Sequence, residues 1–204
     1  MRRTKLEAEE TRVAILNAAI DVFIAEGVAR ASLDKIAKAA DVTRGAIYWH
    51  FSNKIEIFDA LHEQLHKPFI ERVLEGLELS HDDPADQLLS ICTDILTELD
   101  QDEQKRKLLT LFLLKCDYSG DFQLSKEKFL LSKQKTISTF ATYFEKASAK
   151  GNLSTTVDPR LLGIALQSFI RGIVMEYLEA PSGVDIAKDG KALLKLLFAG
   201  IKAE

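Results

Sequence analysis

Apolar residues recur at steps of three and four along nearly the whole chain, whereas the alternation of apolar and polar residues typical of strands is nearly absent. Glycine and proline are scarce, with 10 and 4 among 204 residues. The pattern therefore predicts an all-α fold. It contains no internal repeat and no low-complexity segment.

The first three predicted helices have clear boundaries. The first runs over about residues 9–26 and ends at Gly27, because glycine readily adopts the left-handed conformation that terminates helices. The second begins at Ser32, whose hydroxyl can cap free N–H groups. The third begins at Thr43 and ends near His50.

Proline marks the boundaries of the later helices. A fourth helix begins near Asn53, and Pro68 is expected to kink or end it, because proline lacks an N–H and crowds the preceding turn. Asp83-Pro84 and Asp158-Pro159 each look like a cap residue followed by proline in the first turn. They predict helices that run to about Leu99 and Leu178. The remaining helices are predicted over about residues 103–116, 122–150 and 185–201.

The second and third helices, with the tight turn Ala40–Thr43 between them, match a helix-turn-helix. In that motif the second helix enters the DNA major groove with its N-terminus first. The apolar residues of the segment can face the first helix, which leaves the start of the third helix exposed. The residues at these inward positions are Leu33, Ile36, Ala37, Ala40, Val42, Ile47 and Phe51.

The exposed start of the third helix carries side chains suited to reading bases. The guanidinium of Arg44 can pair with O6 and N7 of guanine, and Gly45 lets the backbone approach the bases. Tyr48 can reach a phosphate or a thymine methyl group, and Trp49 is available beside it. Candidate donors to phosphate, which set the register without reading sequence, are Ser32, Lys35, Thr43, His50 and Lys54.

Several of these residues also have a purely structural interpretation. Thr43 can serve only as a helix cap, and Lys35 can be a solvated charge like Lys38. Trp49 and His50 can pack on the next helix. The sequence leaves these alternatives open.

Charge is distributed unevenly. The formal net charge is −4, but residues 1–54 hold nine Lys/Arg against seven Asp/Glu, whereas residues 55–204 hold 18 against 24. Positive charge is therefore concentrated where the helix-turn-helix lies, and the rest of the chain would repel phosphate.

Composition limits the other classes of protein. The longest apolar stretches, such as 108–114, are shorter than the roughly 20 residues of a membrane span, and the basic start Met1–Lys5 has no apolar run behind it. We therefore expect a cytoplasmic protein that does not enter a membrane. Cys92 and Cys116 are expected to be buried, inert thiols, because their spacing fits neither a disulfide framework nor a cysteine zinc site.

The segment Ser32–Lys54, SLDKIAKAADVTRGAIYWHFSNK, resembles the DNA-binding domain of the TetR family and, within it, the AcrR-like repressors of multidrug efflux pumps. The similarity covers residues 9–66 closely. It is looser beyond them, where residues 106–117 resemble the efflux-repressor subgroup. The resemblance implies a dimer of nine-helix subunits that represses transcription and leaves its operator when a hydrophobic small molecule binds.

The resemblance also implies that different parts of the chain have different functions. The first three helices bind double-stranded operator DNA, the others form a ligand-binding core, and the last two pair across a two-fold axis. We therefore expect a DNA-binding domain over residues 1–54 and a ligand-binding and dimerisation domain over residues 55–204, with no cofactor.

Independently of the family, the last two helices are apolar on more than one face, which indicates burial on several sides. Two such helices per subunit predict a four-helix contact in a symmetric dimer. The alternative is that both are core helices of a monomer. The residues concerned are Leu161, Leu162, Ala165, Leu166, Phe169, Ile173, Val174, Leu178, Leu193, Leu194, Leu196, Leu197, Phe198 and Ile201.

By resemblance, the ligand lies among the fourth to eighth helices, against apolar and aromatic side chains. Arg171 stands out there, because a buried arginine needs an acceptor. It is expected to pair with Glu176 or with a carboxylate of another subunit; the alternative is that it holds a polar or anionic ligand. The candidate ligand contacts are Leu65, His66, Phe69, Leu109, Phe112, Leu113, Cys116, Ile170, Arg171 and Met175.

Two other classes of function compete with regulation. His62-Glu63-Gln64-Leu65-His66 matches the HExxH motif of zinc hydrolases, but Pro68 should disrupt the helix and no third histidine follows at the extended spacing. We therefore expect no enzyme, although a metal-responsive regulator stays open. A helical adaptor that has lost DNA binding is the other alternative, and the intact Arg44, Tyr48 and Lys54 argue against it.

Overall fold

The computed structural model describes residues 5–154 and 156–202, so the first four residues of the basic start lie outside it. Within these ranges the chain is helical, and its only β-pairing is an isolated antiparallel bridge between Leu153 and Lys202. The helices are α1 (Lys5–Glu26), α2 (Leu33–Ala39), α3 (Arg44–His50), α4 (Lys54–Glu78), α5 (Pro84–Gln101), α6 (Glu103–Thr110), α7 (Gln123–Ala149), α8 (Pro159–Glu179) and α9 (Lys188–Ala199).

The helix boundaries follow the local signals in the sequence. Asp83 and Asp158 cap α5 and α8 by accepting hydrogen bonds from backbone N–H groups, and each is followed by proline at the first helical position. Gly27 and Gly151 have φ values of +82° and +74° and terminate α1 and α7. Left-handed backbone at these two positions favours glycine.

Two predicted boundaries need correction. Helix α4 continues through Pro68 to Glu78, so Pro68 does not end it, and a kink at Pro68 stays a prediction. The predicted helix over 103–116 divides instead into α6 and a π-helical turn, Leu111–Lys115. The wider turn lets Leu111 and Phe112 both lie buried in one core.

The described residues divide into two compact units. The first unit holds the residues up to Leu65 together with Gln104–Phe129, and the second holds His66–Glu103 together with the residues from Leu130 onward. The functional division after residue 54 stays a prediction, since the packing groups residues 5–65 with 104–129.

The core of the first unit joins the helix-turn-helix to the segment 104–129. The ring of Phe58 on α4 packs edge-on against Phe23 on α1, Phe112 in the π-helical turn and Phe122, with centroids 6.3, 5.1 and 5.0 Å apart. Lys107 on α6 also forms an ion pair of 2.9 Å with an aspartate on α1. Residues of α1, α4, the segment 108–112 and Phe122 thus form one hydrophobic core.

Close approach between helices characterises the second unit. A Cβ at Gly163 of α8 would lie 2.7 Å from the backbone oxygen of Ile137 on α7, and one at Gly76 of α4 would lie 2.3 Å from the hydroxyl of Tyr143. The buried Tyr143 donates a hydrogen bond of 2.7 Å to the carbonyl of Val73. These contacts need residues without side chains at the crossing points.

By length and composition α8, among the described residues, is apolar enough to cross a membrane. Gln167 and Arg171 interrupt its apolar run. Helices in the core of soluble proteins pass the same test. The buried side of α8 carries Leu162, Leu166 and Ile173.

Candidate nucleic-acid interface and ligand residues

Helices α2 and α3 pack on α1 as the predicted helix-turn-helix requires. Ile36, Ala37, Ile47 and Phe51 are buried, with Ile36 and Ile47 at 0% exposure. Between the helices, Asp41 has a φ of +52°, a left-handed conformation that aspartate and asparagine tolerate better than most residues. The tight turn leaves the first turn of α3 pointing away from α1.

The outward face of α3 is built from the residues predicted to contact bases. Arg44, Gly45, Tyr48 and Trp49 are all exposed, and Trp49 retains 70% of its accessible surface. The buried Ile47 lies on the opposite side of this short helix. Two large aromatic side chains in water, beside an arginine, form a surface that a base edge or a sugar can cover.

Arg44 does not project freely into solvent. Its Nη2 donates a hydrogen bond of 3.3 Å to the Tyr48 hydroxyl, and its Nε lies 3.3 Å from Oδ1 of Asp34 on α2. The Tyr48 hydrogen bond, followed by the charge of Asp34, raises the pKa of Arg44. Both contacts place the guanidinium beside Asp34 and over the Tyr48 ring. No local signal in the sequence links Asp34 to Arg44, because the two residues lie ten positions apart on different helices.

Gly45 has no structural reason to be glycine. A Cβ built there meets only the Thr43 hydroxyl, at 3.9 Å, and nothing closer. Glycine in a helix interior costs about 1 kcal/mol relative to alanine. No part of the chain requires a glycine here, so we attribute the glycine to close approach of the backbone to an outside partner.

Ser32 and Thr43 act as helix caps. The Ser32 hydroxyl accepts a hydrogen bond of 3.3 Å from the backbone N–H of Lys35. The Thr43 hydroxyl accepts one of 3.2 Å from the backbone N–H of Ala46. A hydroxyl that accepts in this way keeps its own hydrogen, so both side chains can still donate to a phosphate.

Lys35 and His50 also contact neighbouring side chains. The ammonium of Lys35 lies 2.7 Å from a carboxylate oxygen of Glu26, in an exposed ion pair that water or phosphate can displace. His50 is half-buried, and its ring stands edge-on to that of the adjacent Trp49 in the same helix, with centroids 4.5 Å apart. Trp49 is mostly exposed, and packing of His50 on the next helix stays a prediction.

The structure revises the predicted role of Lys54. Its Nζ donates hydrogen bonds to the carbonyl oxygens of Val28, Ala29 and Ala31, at 3.1, 2.6 and 3.3 Å. The ammonium also lies 5.7 Å from the centre of the Phe122 ring. All three of its N–H bonds are used, so Lys54 fixes the loop between α1 and α2 and has no donor left for phosphate.

The candidate ligand contacts lie in both units. In the first unit, Phe112 is buried against the rings of Phe58 and His62, at 5.1 and 5.4 Å. In the second unit, Phe69 stands edge-on to the buried Phe140 at 6.2 Å. Apart from Phe112, the other nine candidates are half-buried, namely Leu65, Leu109, Leu113 and Cys116 in the first unit and His66, Phe69, Ile170, Arg171 and Met175 in the second.

Arg171 forms no ion pair with a carboxylate of the described residues, so the expected pair with Glu176 is wrong. Residues five positions apart project from different sides of a helix, since neighbours on one face are spaced three or four apart. An acceptor from another subunit or from a ligand stays a prediction.

The two histidines of the HExxH match have aromatic neighbours. His62 contacts the rings of Phe112 and Phe129, at 5.4 and 5.3 Å. His66 is tilted toward Phe69 at 6.3 Å, and burial lowers its pKa below 6.5. Among the residues with described positions, no three His, Cys, Asp or Glu side chains cluster as metal ligands would.

Both thiols are inert at neutral pH. Complete burial raises the pKa of Cys92 to about 12, and partial burial is the main cause that raises the pKa of Cys116 to about 11. A thiol with so high a pKa is almost entirely protonated at neutral pH and is a poor nucleophile.

Helices α8 and α9 each have an apolar side that the chain leaves exposed. Leu161 on α8 is 48% exposed, and Leu193 and Leu196 on α9 are 36% and 70% exposed. On the other side of the same helices, Leu194 and Phe198 are buried, as are Leu162, Leu166, Ile173 and Val174. The apolar residues predicted for the dimer contact thus separate into an inner set and an outer set.

Comparisons with known proteins find transcriptional regulators along nearly the whole chain. Residues 15–61 match the model of bacterial regulatory proteins of the tetR family, and residues 83–201 match that of the C-terminal region of MAATS-type transcriptional repressors. The transcriptional regulator AcrR of Shigella flexneri is 32% identical over 97% of this chain and 92% of its own length.

Two solved structures of repressors are similar throughout. NalD, the secondary repressor of the MexAB-OprM multidrug efflux pump in Pseudomonas aeruginosa, superimposes with a TM-score of 0.84 at 31% identity, covering 98% of this chain and 100% of that one. SmeT, the repressor of the Stenotrophomonas maltophilia pump SmeDEF, in its complex with triclosan gives 0.87 at 29% identity, covering 96% and 93%.

Proposed function

The chain belongs to the TetR family of bacterial regulatory proteins, and from this we propose that it is a ligand-responsive transcriptional repressor of a multidrug efflux operon. It binds operator DNA in the cytoplasm as a homodimer, and a hydrophobic small molecule releases it. It is not an enzyme.

The observation that carries the proposal is the outward face of α3. Arg44 pairs with guanine in the major groove, and Gly45 lets the backbone come close to the bases. Tyr48 and Trp49 cover thymine methyl groups or sugars. Ser32, Lys35, Thr43 and His50 contribute phosphate contacts, which position the motif.

The exposed apolar sides of α8 and α9 support the homodimer. Gly172, in the interior of α8, is exposed and has nothing within 4 Å of a Cβ built on it. Within one chain this glycine only weakens the helix. Covered by the same surface of a second copy, it allows the two α8 helices to approach closely, with Leu161 and Leu196 buried between subunits. Two recognition helices about 34–36 Å apart then fit successive major grooves.

Each unit contains half-buried apolar and aromatic residues, and these support a hydrophobic ligand. The relatives support the same class of ligand, since SmeT is seen in complex with triclosan. A ligand releases DNA only by binding better to a conformation in which the recognition helices no longer fit the grooves. Helix α4 is the element that changes position in this scheme, because it runs from the helix-turn-helix to the ligand residues.

A binding assay on promoter DNA tests the proposal. The protein is titrated into a labelled duplex from the region upstream of its own gene, at low salt, with and without triclosan. We expect retardation of this duplex before a scrambled duplex, and release by triclosan or another hydrophobic drug. Equal affinity for both duplexes contradicts repression.

The dimer is tested with one charge placed on α9. Leu196→Glu should shift the sedimenting species from dimer to monomer, because burying an unpaired carboxylate is costly. Leu131→Glu is the matched control, since Leu131 on α7 is similarly exposed, at 65%, outside the proposed contact. A dimer unaffected by Leu196→Glu contradicts this interface.

A further inference from the structure

Asp34 places a carboxylate beside the arginine that reads DNA. It lies in the first turn of α2, and 62% of its side chain is exposed, next to an Arg44 side chain that is 64% exposed. The distance of 3.3 Å between Arg44 Nε and Asp34 Oδ1 puts the two side chains on one surface. An acid at this position requires an explanation, because phosphates repel it.

Stability is not that explanation. Ion pairs between two exposed side chains contribute little to folding, since water screens them and both side chains lose freedom. The first turn of a helix favours an acid, but Asp34 is not needed there to cap α2, because the Ser32 hydroxyl already accepts from the chain. The pair, together with the Tyr48 hydrogen bond, instead biases the orientation of Arg44.

The pair leaves the reading edge of the arginine available. Nε of Arg44 lies 3.3 Å from Oδ1 of Asp34, and the Tyr48 hydroxyl accepts one hydrogen of Nη2. The Tyr48 ring lies below the guanidinium, 5.5 Å from its carbon. Both hydrogens on Nη1 and one on Nη2 are left to donate, and O6 and N7 of guanine are acceptors for such a pair of N–H groups.

We propose that Asp34 is a specificity-determining residue of the operator interface, because it holds Arg44 in the geometry that reads guanine and opposes binding where no guanine is present. The inference rests on the proposed function. On an operator, O6 and N7 of guanine accept from the free N–H groups of Arg44, while Nε stays beside the carboxylate of Asp34. On other sequences, Arg44 has no base acceptor, and Asp34 restrains it from swinging to a phosphate while adding its own repulsion.

Removing this charge should raise affinity for DNA in general while lowering discrimination. The test compares Asp34→Asn with the wild type by fluorescence anisotropy, using a duplex from upstream of its own gene and a scrambled duplex of equal composition. We expect the ratio of the two affinities to fall about tenfold, part of what a bidentate arginine–guanine pair supplies. The scrambled duplex should be bound more tightly.

The chain offers a matched control in the same motif. Asp41→Asn removes one charge from the turn between α2 and α3, and asparagine tolerates the left-handed backbone there. Asp41 is exposed and does not contact Arg44. This variant should strengthen binding to both duplexes alike and leave their ratio unchanged. Asp34→Glu keeps the charge and should restore part of the ratio.

Two further measurements separate positioning from general charge. Operator duplexes with single base pairs replaced should show that Asp34→Asn loses discrimination mainly at the pair read by Arg44. In an Arg44→Ala background, Asp34→Asn should leave the ratio unchanged. Equal effects of Asp34→Asn and Asp41→Asn on the ratio overturn the inference alone. A wild type that does not distinguish the two duplexes overturns the proposed function and this inference with it.

Discussion

Replacement of Lys54 by methionine removes the ammonium and keeps most of the side chain's length and apolar surface. In the structure, that ammonium donates to the carbonyls of Val28, Ala29 and Ala31. The residues Val28 and Ala31 are 3% and 4% exposed, so water has poor access to their carbonyls once the ammonium is gone. The loop between α1 and α2 then loses its link to the start of α4.

The expected loss of stability follows from these contacts. A hydrogen bond from a charged donor contributes about 1.5–3 kcal/mol, but the three bonds share one partly exposed ammonium and do not add. We expect Lys54→Met to lower the free energy of unfolding by about 2 kcal/mol, measured by urea denaturation. Lys38→Met is the control: Lys38 is exposed on α2 without a partner among the described residues, and its loss should leave stability unchanged.

Salt dependence distinguishes this role from a phosphate contact. Each neutralised phosphate adds about 0.9 to the slope of log affinity against log salt concentration. We expect Lys54→Met to weaken operator binding without changing the slope, because the helix-turn-helix is less well positioned. A slope that falls by about 0.9 per subunit, with stability unchanged, would refute the assignment of Lys54 to the loop.

Three other predictions follow from crowding and burial. Gly163→Ala should destabilise the fold by about 1–3 kcal/mol in urea denaturation, since its Cβ would lie 2.7 Å from a backbone oxygen; Gly172→Ala should leave the fold intact and weaken the dimer in sedimentation. Because burial lowers the pKa of His66, the unfolded state binds the proton first below pH 6.5. Stability should therefore fall as the pH drops below that value, and less so in His66→Gln; parallel pH profiles contradict this. Maleimide should label Cys116 slowly at neutral pH and Cys92 only after unfolding, as mass spectrometry of the two peptides would record. Equal labelling rates contradict the difference in burial.

The positions of the helices could be predicted from sequence where the signal is local. Ser32, Thr43, Asp83 and Asp158 each cap a helix by bonding to a backbone N–H two or three residues ahead, so a short window of sequence contains both partners. Pro68 misled the same reasoning. The cost of one missing hydrogen bond within α4 is outweighed by the contacts that the long helix makes on both sides of it.

By itself, the sequence determined the all-helical fold, the helix-turn-helix, and the exposure of Arg44, Gly45, Tyr48 and Trp49, because periodicity decides which side of a helix is buried. Only the tertiary structure decided what the charged side chains do. Lys54 reaches carbonyls 23 to 26 residues away, and Arg44 is held by an aspartate on the preceding helix. Such partners depend on how helices meet, and a one-dimensional pattern carries no information about which charges the packing brings within hydrogen-bond distance.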